Sequence, residues 1–349
     1  MSENSFNYFF MGNGSCVQDT EHWMPKLVVM VLLSLLLCAV TQGSSPGTKT
    51  IVLTFDNLPG LHPLGFWTHR EVSNTILRTL EKYNVKAAGF VVEEKIDEDP
   101  VTFIVLKDWI ERGHILGNQT YSDVDLNDLS AKDFMHHVTD GQTYLKRILR
   151  MYSQKYLYLR YPFLHQGNTK RKKRRVTKAL YRLGYDIAHV TVKTSDYRFN
   201  SFYIDNEQNH DQIVRLKSVY LEHIAQALNY AESQSLKVFS RQIHHILRLH
   251  CGIATAQFLK DLIEILKGRG YGFIALDKAL LDPAFQTKEL YVGPGSLSFI
   301  DRVAATRGLD FDPQKGELSE ADIKARIASL TKSNSPLPDS IHKKSRDQN

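Results

Sequence analysis

The chain has 349 residues, enough for one large domain or two small ones. Its 42% hydrophobic and 23% charged residues exclude a disordered, collagen-like or disulfide-scaffold protein, and a core of normal size can form. Against 38 Asp and Glu stand 44 Lys and Arg, a formal +6 that suits an anionic polymer or envelope surface and does not call for nucleic acid.

Leu27 to Val40 is an apolar run broken only by Ser34, preceded by Met24-Pro25-Lys26 and followed by Thr41-Gln42-Gly43. A positive flank, an apolar core and small residues beyond it make a secretory signal peptide, with cleavage expected after Gly43. Residues 1–43 are then lead and signal peptide. The run falls short of the roughly 18 to 20 residues that span a bilayer, and an uncleaved anchor is the competing reading. Bulky Leu37 argues against lipid attachment at Cys38. Met24 is the natural start of such a segment; a cytoplasmic lead is the alternative for residues 1–23. Cys16, Cys38 and Cys251 match no zinc or redox spacing, and no structural disulfide is expected.

Thr50 to Phe55 is a β-branched apolar run that reads as a buried strand ending in Asp56-Asn57. Arg70 to Tyr83 has helical spacing. Val85 to Val92 is a second strand, Val101 to Arg112 a helix stopped by Gly113, and His114 to Asn118 a short strand. One helix is expected from Ser130 to about Met151. The strand Tyr156 to Arg160, the helix Val176 to Leu183 and the strand Asp186 to Val192 follow. Ser218 to Glu232 reads as a helix, His245 to Leu249 as a strand, Ala256 to Lys267 as a helix and Tyr271 to Ala275 as a last strand. Strands alternating with helices imply a parallel sheet or an α/β barrel. Function then collects at strand C-termini: Asp56-Asn57, Gln119 to Asp123, Arg160 to His165, Lys193 to Tyr197, and His250.

Those strand ends resemble, in order, the motifs of the NodB-homology polysaccharide deacetylases, carbohydrate esterase family 4. LTFDNLPG at 53–60, GHILGNQTYSDVDL at 113–126, LRYPFLHQG at 159–167 and ILRLH at 246–250 carry the likeness, which spans about Thr50 to Leu281. The resemblance implies a distorted (β/α) barrel over residues 48–285. It also implies a divalent metal such as zinc, held by one Asp and two His, that polarises an acetamide and a water. Position by position it makes Asp56 the base and His250 the acid, with Arg160 orienting the base. Asn57, Gln119 and Asp123 fall at the three metal positions. The fourth motif reads VTVKTSDYRF at 190–199: Lys193 and Ser195 stand where acids are expected, and Asp196 can substitute after a shift of one residue.

The ligand chemistry at the metal positions is altered. Two amides and one carboxylate replace a carboxylate and two imidazoles, the ligands that suit zinc. Calcium wants about 6–8 oxygens and magnesium keeps its waters, so hard cations fit no better. No tightly bound cofactor is expected.

Tyr121 and Phe163 could stack on sugar rings or simply pack the pocket wall; packing is favoured for Tyr161 and His165. Lys170, Arg171, Lys172, Lys173, Arg174 and Arg175 precede a helix and could dock an anionic envelope polymer, or form a solvated loop. Cys251 follows His250 on a strand, so the two point apart. Residues 286–332 read as a C-terminal extension and 333–349 as a polar, disordered tail. Three functions remain open: a divergent deacetylase of an N-acetylated polysaccharide, a non-catalytic relative that binds such a glycan or an envelope partner, and a hydrolase of another amide or ester.

Overall fold

A computed structural model of the chain describes residues 49–332 apart from Tyr156 and Pro313. The expected signal peptide, Cys16, Cys38 and the tail 333–349 lie outside the described residues.

The organising element is β1 (Thr50–Leu58), buried along its whole length after the first residue. Burial on both faces explains the apolar, β-branched run Thr50 to Phe55 within it. Around it stand β2 (Ala87–Val91), β3 (Ile115–Asn118), β4 (Leu157–Leu159), β5 (Tyr185–Ile187), β6 (His245–His250) and β7 (Gly272–Phe273). All pairings are parallel, in the order β5-β4-β3-β2-β1-β6, with β7 also on β1. The stretch leaving β5 closes the circuit. Ala188 N–H donates to Leu159 O on β4, while Val192 forms a parallel bridge with Leu247 on β6. The result is the distorted (β/α) barrel expected from the motifs. The strand expected at Asp186 to Val192 is thus split between two partners.

Alternation along the strands sorts the core. Val52, Ala88, Phe90, Tyr158 and Ile246 pack inside the barrel with Phe285, Phe299, Ile300 and Val303 from the C-terminal region. Ile51, Leu53, Phe55, Leu247 and Leu249 face outward to the helices. Crowding inside explains Gly117: a Cβ there would lie 2.5 Å from the Phe90 ring.

The helices are α1 (His69–Lys82), α2 (Phe103–Glu111), α3 (Ala131–Asp140), α4 (Thr143–Met151), α5 (Lys170–Arg182), α6 (Phe199–Asp205), α7 (His210–Phe239), α8 (Ile253–Gly268), α9 (Phe299–Thr306) and α10 (Glu320–Lys332), with shorter turns between some of them. Thr68 and Glu71 form a reciprocal capping box that starts α1.

The single helix expected from Ser130 to Met151 is two. The break lies at Gly141, where a Cβ would lie 2.5 Å from the Thr120–Tyr121 backbone. The buried carboxylate of Glu93 then accepts the N–H groups of Thr143, Tyr144 and Leu145 and caps α4 from outside. Burial pushes the Glu93 carboxyl up despite those three bonds.

The basic run does not precede a helix; it is the first two turns of α5, capped by Thr169. Nor is all of it solvated. Lys172 Nζ donates to the Leu126 and Asn127 carbonyls at 3.0 and 2.8 Å, and Lys173 Nζ lies 2.6 Å from Glu289. Lys170, Arg171, Arg174 and Arg175 remain exposed. The helix expected over Ser218 to Glu232 extends to the 30 residues of α7, because buried Ala231, Gln234, Ser235 and Val238 continue its inward face with small and polar side chains.

Burial also fixes the charge state of several histidines. His114 and His223 each accept a backbone N–H at a ring nitrogen, from Ala87 at 3.1 Å and Ser195 at 2.9 Å, which requires that nitrogen to be unprotonated. Burial pushes His114 down to about 3, and His223 and His245 to about 4. In the unfolded chain each would protonate near 6.5. Between those values the unfolded state binds more protons, so stability is full above about pH 6.5 and falls as the pH drops toward 4. The slope is about 1.4 kcal/mol per pH unit for each such ring. Urea unfolding at pH 7 and pH 5 reads this directly; equal stabilities would contradict neutral, buried rings.

Candidate functional site

The polar residues at the strand ends converge on one cavity of about 560 Å³ at the C-terminal mouth of the barrel. Asp56, Asn57, Gln119, Asp123 and His250 line it. Asp56 on β1 and His250 on β6 are register partners, which places them side by side. Arg160 follows β4 and lies behind the lining, fully buried.

Arg160 is held from three sides. Its Nε lies 3.3 Å from Asp56 Oδ1, an ion-pair distance without hydrogen-bond alignment. Nη2 donates to Thr54 Oγ1 at 2.9 Å and Nη1 to the His189 carbonyl at 3.4 Å. The Phe90 ring lies 4.4 Å away beneath the guanidinium. Burial lowers the Arg160 pKa to about 10 and Asp56 opposes the fall, so the group stays cationic at neutral pH.

Asn57, Gln119 and Asp123 make a closed hydrogen-bonded triangle. Asn57 N–H donates to Gln119 Oε1 at 2.7 Å, Asn57 Nδ2 to Asp123 Oδ2 at 2.9 Å, and Gln119 Nε2 to Asp123 Oδ1 at 3.0 Å. Left-handed backbone at Asn57, Thr120 and Asp123 (φ 65°, 69° and 54°) brings the three together, and Asn and Asp adopt that conformation most readily. Burial pushes the Asp123 carboxyl up and the charge of Asp56 adds to this, against the Asn57 bond and Lys95. This set does not fit zinc. Both amide nitrogens face the one carboxylate, and its two oxygens are already in use. Among the described residues no three His, Cys, Asp or Glu side chains gather as a metal site.

His250 belongs to a second network. Its Nδ1 lies 2.7 Å from Asp196 Oδ1, and its backbone N–H donates to Asp196 Oδ2 at 2.7 Å. Thr194 and Thr255 hydroxyls each donate to the same carboxylate at 3.0 Å. Burial alone would raise the Asp196 carboxyl, yet the His250 contacts outweigh it and hold the group below its usual value. Asp196 is therefore the partner of His250, whereas the partner of Arg160 is Asp56.

The aromatic expectations divide. Phe163 lines the cavity, 50% exposed, with a left-handed φ of 56°. Tyr121 is outside the lining, its hydroxyl donating to Asp97 at 3.0 Å. Tyr161 is buried and stacks on Phe134, as packing requires. His165 does line the cavity, with Nδ1 2.7 Å from Asp125. Cys251 is buried, its thiol pushed up to about 12 by desolvation, and so lacks the thiolate a nucleophile needs.

One wall joins the fourth-motif residues Lys193 and Ser195 to C-terminal residues that no motif marked. Lys193 Nζ donates to the Ser296 carbonyl at 2.8 Å and lies 3.2 Å from Glu317. Ser195 Oγ donates to Glu317 at 2.6 Å and accepts the Leu318 N–H. Arg198 and Arg248 also line the cavity. Arg248 had a legible signal, being two residues before His250 and hence on the same strand face.

Residues 43–188 match the family model described as polysaccharide deacetylase. The chain is 30% identical over 103 residues to a peptidoglycan-N-acetylmuramic acid deacetylase of Bacillus subtilis, covering 30% of this chain and 20% of the relative. It is 30% identical over 106 residues to a peptidoglycan-N-acetylglucosamine deacetylase of Bacillus cereus, covering 30% and 34%. The chain thus spans about a fifth and a third of these curated relatives. Among solved structures, a carbohydrate esterase family 4 pseudoenzyme of Bacillus anthracis aligns at TM-score 0.46 and 19% identity, covering 68% of this chain and 66% of that one. A chitin deacetylase of Colletotrichum lindemuthianum aligns at TM-score 0.46 and 22% identity, covering 68% and 89%.

The Asp56–Arg160 pair is open to a double-mutant cycle. Arg160→Met strands a buried carboxylate and should destabilise by about 3–5 kcal/mol. Asp56→Asn combined with Arg160→Met removes both charges and should recover a substantial part of that loss. Denaturant unfolding of the four proteins measures it; a cost below about 1 kcal/mol for the single change would rule out a buried pair.

Proposed function

The chain carries a polysaccharide deacetylase domain of the NodB-homology, carbohydrate esterase family 4 type, and on that premise we propose that its barrel mouth binds an N-acetylated glycan and hydrolyses the acetamide weakly or not at all. The observation that carries this is the closed triangle of Asn57, Gln119 and Asp123. A metal in this family polarises the acetamide and its water; here the matching positions satisfy one another instead. To bind a cation, both amides would have to turn and give up their bonds to Asp123.

Binding needs less than catalysis does. Phe163 and Tyr197 offer ring faces at the cavity, against which sugar rings can pack. Asp56 and His250 offer an acceptor and a titratable nitrogen to an acetamide. The Leu27 to Val40 run supports export, which would place the protein with envelope glycans. The exposed side chains Lys170, Arg171, Arg174 and Arg175 offer a cationic face to an anionic polymer, with Lys172 and Lys173 engaged internally.

The intact Asp56–Arg160 and His250–Asp196 pairs favour a second reading, a hydrolase with residual turnover. The base and acid positions are both still supported by the partners that hold them in place.

Zinc titration and acetate release separate the two. The unmodified protein should bind zinc weakly and release little acetate from N-acetylated chito-oligosaccharide. The triple change Asn57→Asp, Gln119→His, Asp123→His rebuilds one anionic oxygen and two imidazoles and should gain zinc affinity by well over the roughly 10–100-fold that a single outer partner is worth. Tight stoichiometric zinc in the unmodified protein would favour the working hydrolase.

A further inference from the structure

Three arginines are buried inside the barrel and its mouth: Arg160, Arg302 and Arg248, at 0%, 2% and 6% exposure. A guanidinium taken out of water needs an anion or several acceptors. Arg160 has Asp56 at 3.3 Å, and Arg302 has Glu289 at 3.4 Å. Arg248 has no carboxylate within 4.0 Å among the described residues. Among the described residues the guanidinium's one hydrogen bond runs from Nη2 to the Thr194 carbonyl at 3.3 Å, and its Nε has no acceptor. The nearby acids are committed elsewhere: Glu317 to Lys193 and Ser195, Asp196 to His250 and two threonines. Both acids still feel the charge of Arg248 at longer range.

Arg248 lines the cavity, as does Arg198, which lies over the Tyr197 ring at 5.1 Å and whose buried Nε also lacks an acceptor. Among the described residues the cavity therefore presents two guanidinium groups without carboxylate partners, one of them more than nine-tenths buried. Resting on the glycan-binding reading above, we propose that Arg248, seconded by Arg198, anchors a carboxylate carried by the N-acetylated glycan, so that the mouth selects sugars bearing an acidic substituent. A guanidinium fork meets a carboxylate through two parallel N–H···O bonds. The charge of the anion is set by the rest of the lining. Asp56, Asp123 and Glu317 already stand in the cavity, so a singly charged carboxylate is repelled less than a phosphate dianion.

Calorimetric titration with glycan oligosaccharides containing N-acetylmuramic acid, and with the same oligosaccharides after reduction of their carboxyl groups to alcohols, tests this without any variant. The acid form should bind at least about tenfold more tightly, the scale of one charge-assisted hydrogen bond. Arg248→Gln should bring the two forms to within about threefold of each other. Equal binding of both forms by the unmodified protein would overturn the proposal, as would a preference that survives Arg248→Gln. Binding of neutral N-acetylated chito-oligosaccharide without an acid preference removes this inference and leaves the glycan reading standing. Failure to bind any of these oligosaccharides removes both.

Discussion

A charged side chain in the middle of a parallel barrel has to be solvated by the barrel itself, and Arg160 sets that condition for everything around it. Its guanidinium is held by Asp56 and Thr54 of β1, the His189 carbonyl after β5 and the face of Phe90 on β2. Thr54 in turn donates to the Leu247 carbonyl on β6. One buried cation therefore ties together strands on both sides of the sheet. It also divides the interior. Below it lie Val52, Ala88, Tyr158 and Ile246, all apolar in character. Above it every lining position on β1 and β6 is polar. Asp56 is fixed at the boundary because its carboxylate is the counter-charge that makes the arginine tolerable.

Above that floor the two polar networks differ in what they leave available. The Asp196 carboxylate takes four donors and leaves His250 as the one titratable group of its network that lines the cavity. The Asn57, Gln119 and Asp123 network turns inward, spreading one negative charge over two amide dipoles. The Asn57 bond and Lys95 favour the Asp123 carboxylate, but burial and the charge of Asp56 outweigh them and push the group up.

Much of this was legible in the sequence, for a physical reason. Asp56, Asn57, Gln119 and His250 lie at the ends of apolar runs and Asp123 in the loop that follows one, and in a parallel barrel all such ends share one face. What escaped was set by tertiary approach. The apolar spacing of Phe134, Val138, Leu145 and Ile148 runs straight through Gly141, yet the helix stops there because another backbone passes close and Glu93 caps the next turn. Tyr121 sits beside the motif in sequence, but the left-handed turn at Thr120 sends it to Asp97 instead of the cavity. The helix start at Thr169 and the capping patterns at Ser298-Asp301 and Ser319-Asp322 were readable signals that the apolar periodicity obscured. Glu317 had no local signal, since its role depends on a segment far along the chain.

That distance orders events in time. Ser195 and Glu317 are 122 residues apart, and the bond between them is part of the wall that finishes the cavity. Contacts of such separation must close a long loop before they return any energy. During synthesis from the N-terminus, all seven strands are made before residue 317 exists. The sheet can therefore assemble around Arg160 while its mouth is still open on one side, and that wall of the cavity closes only once the chain has passed residue 317.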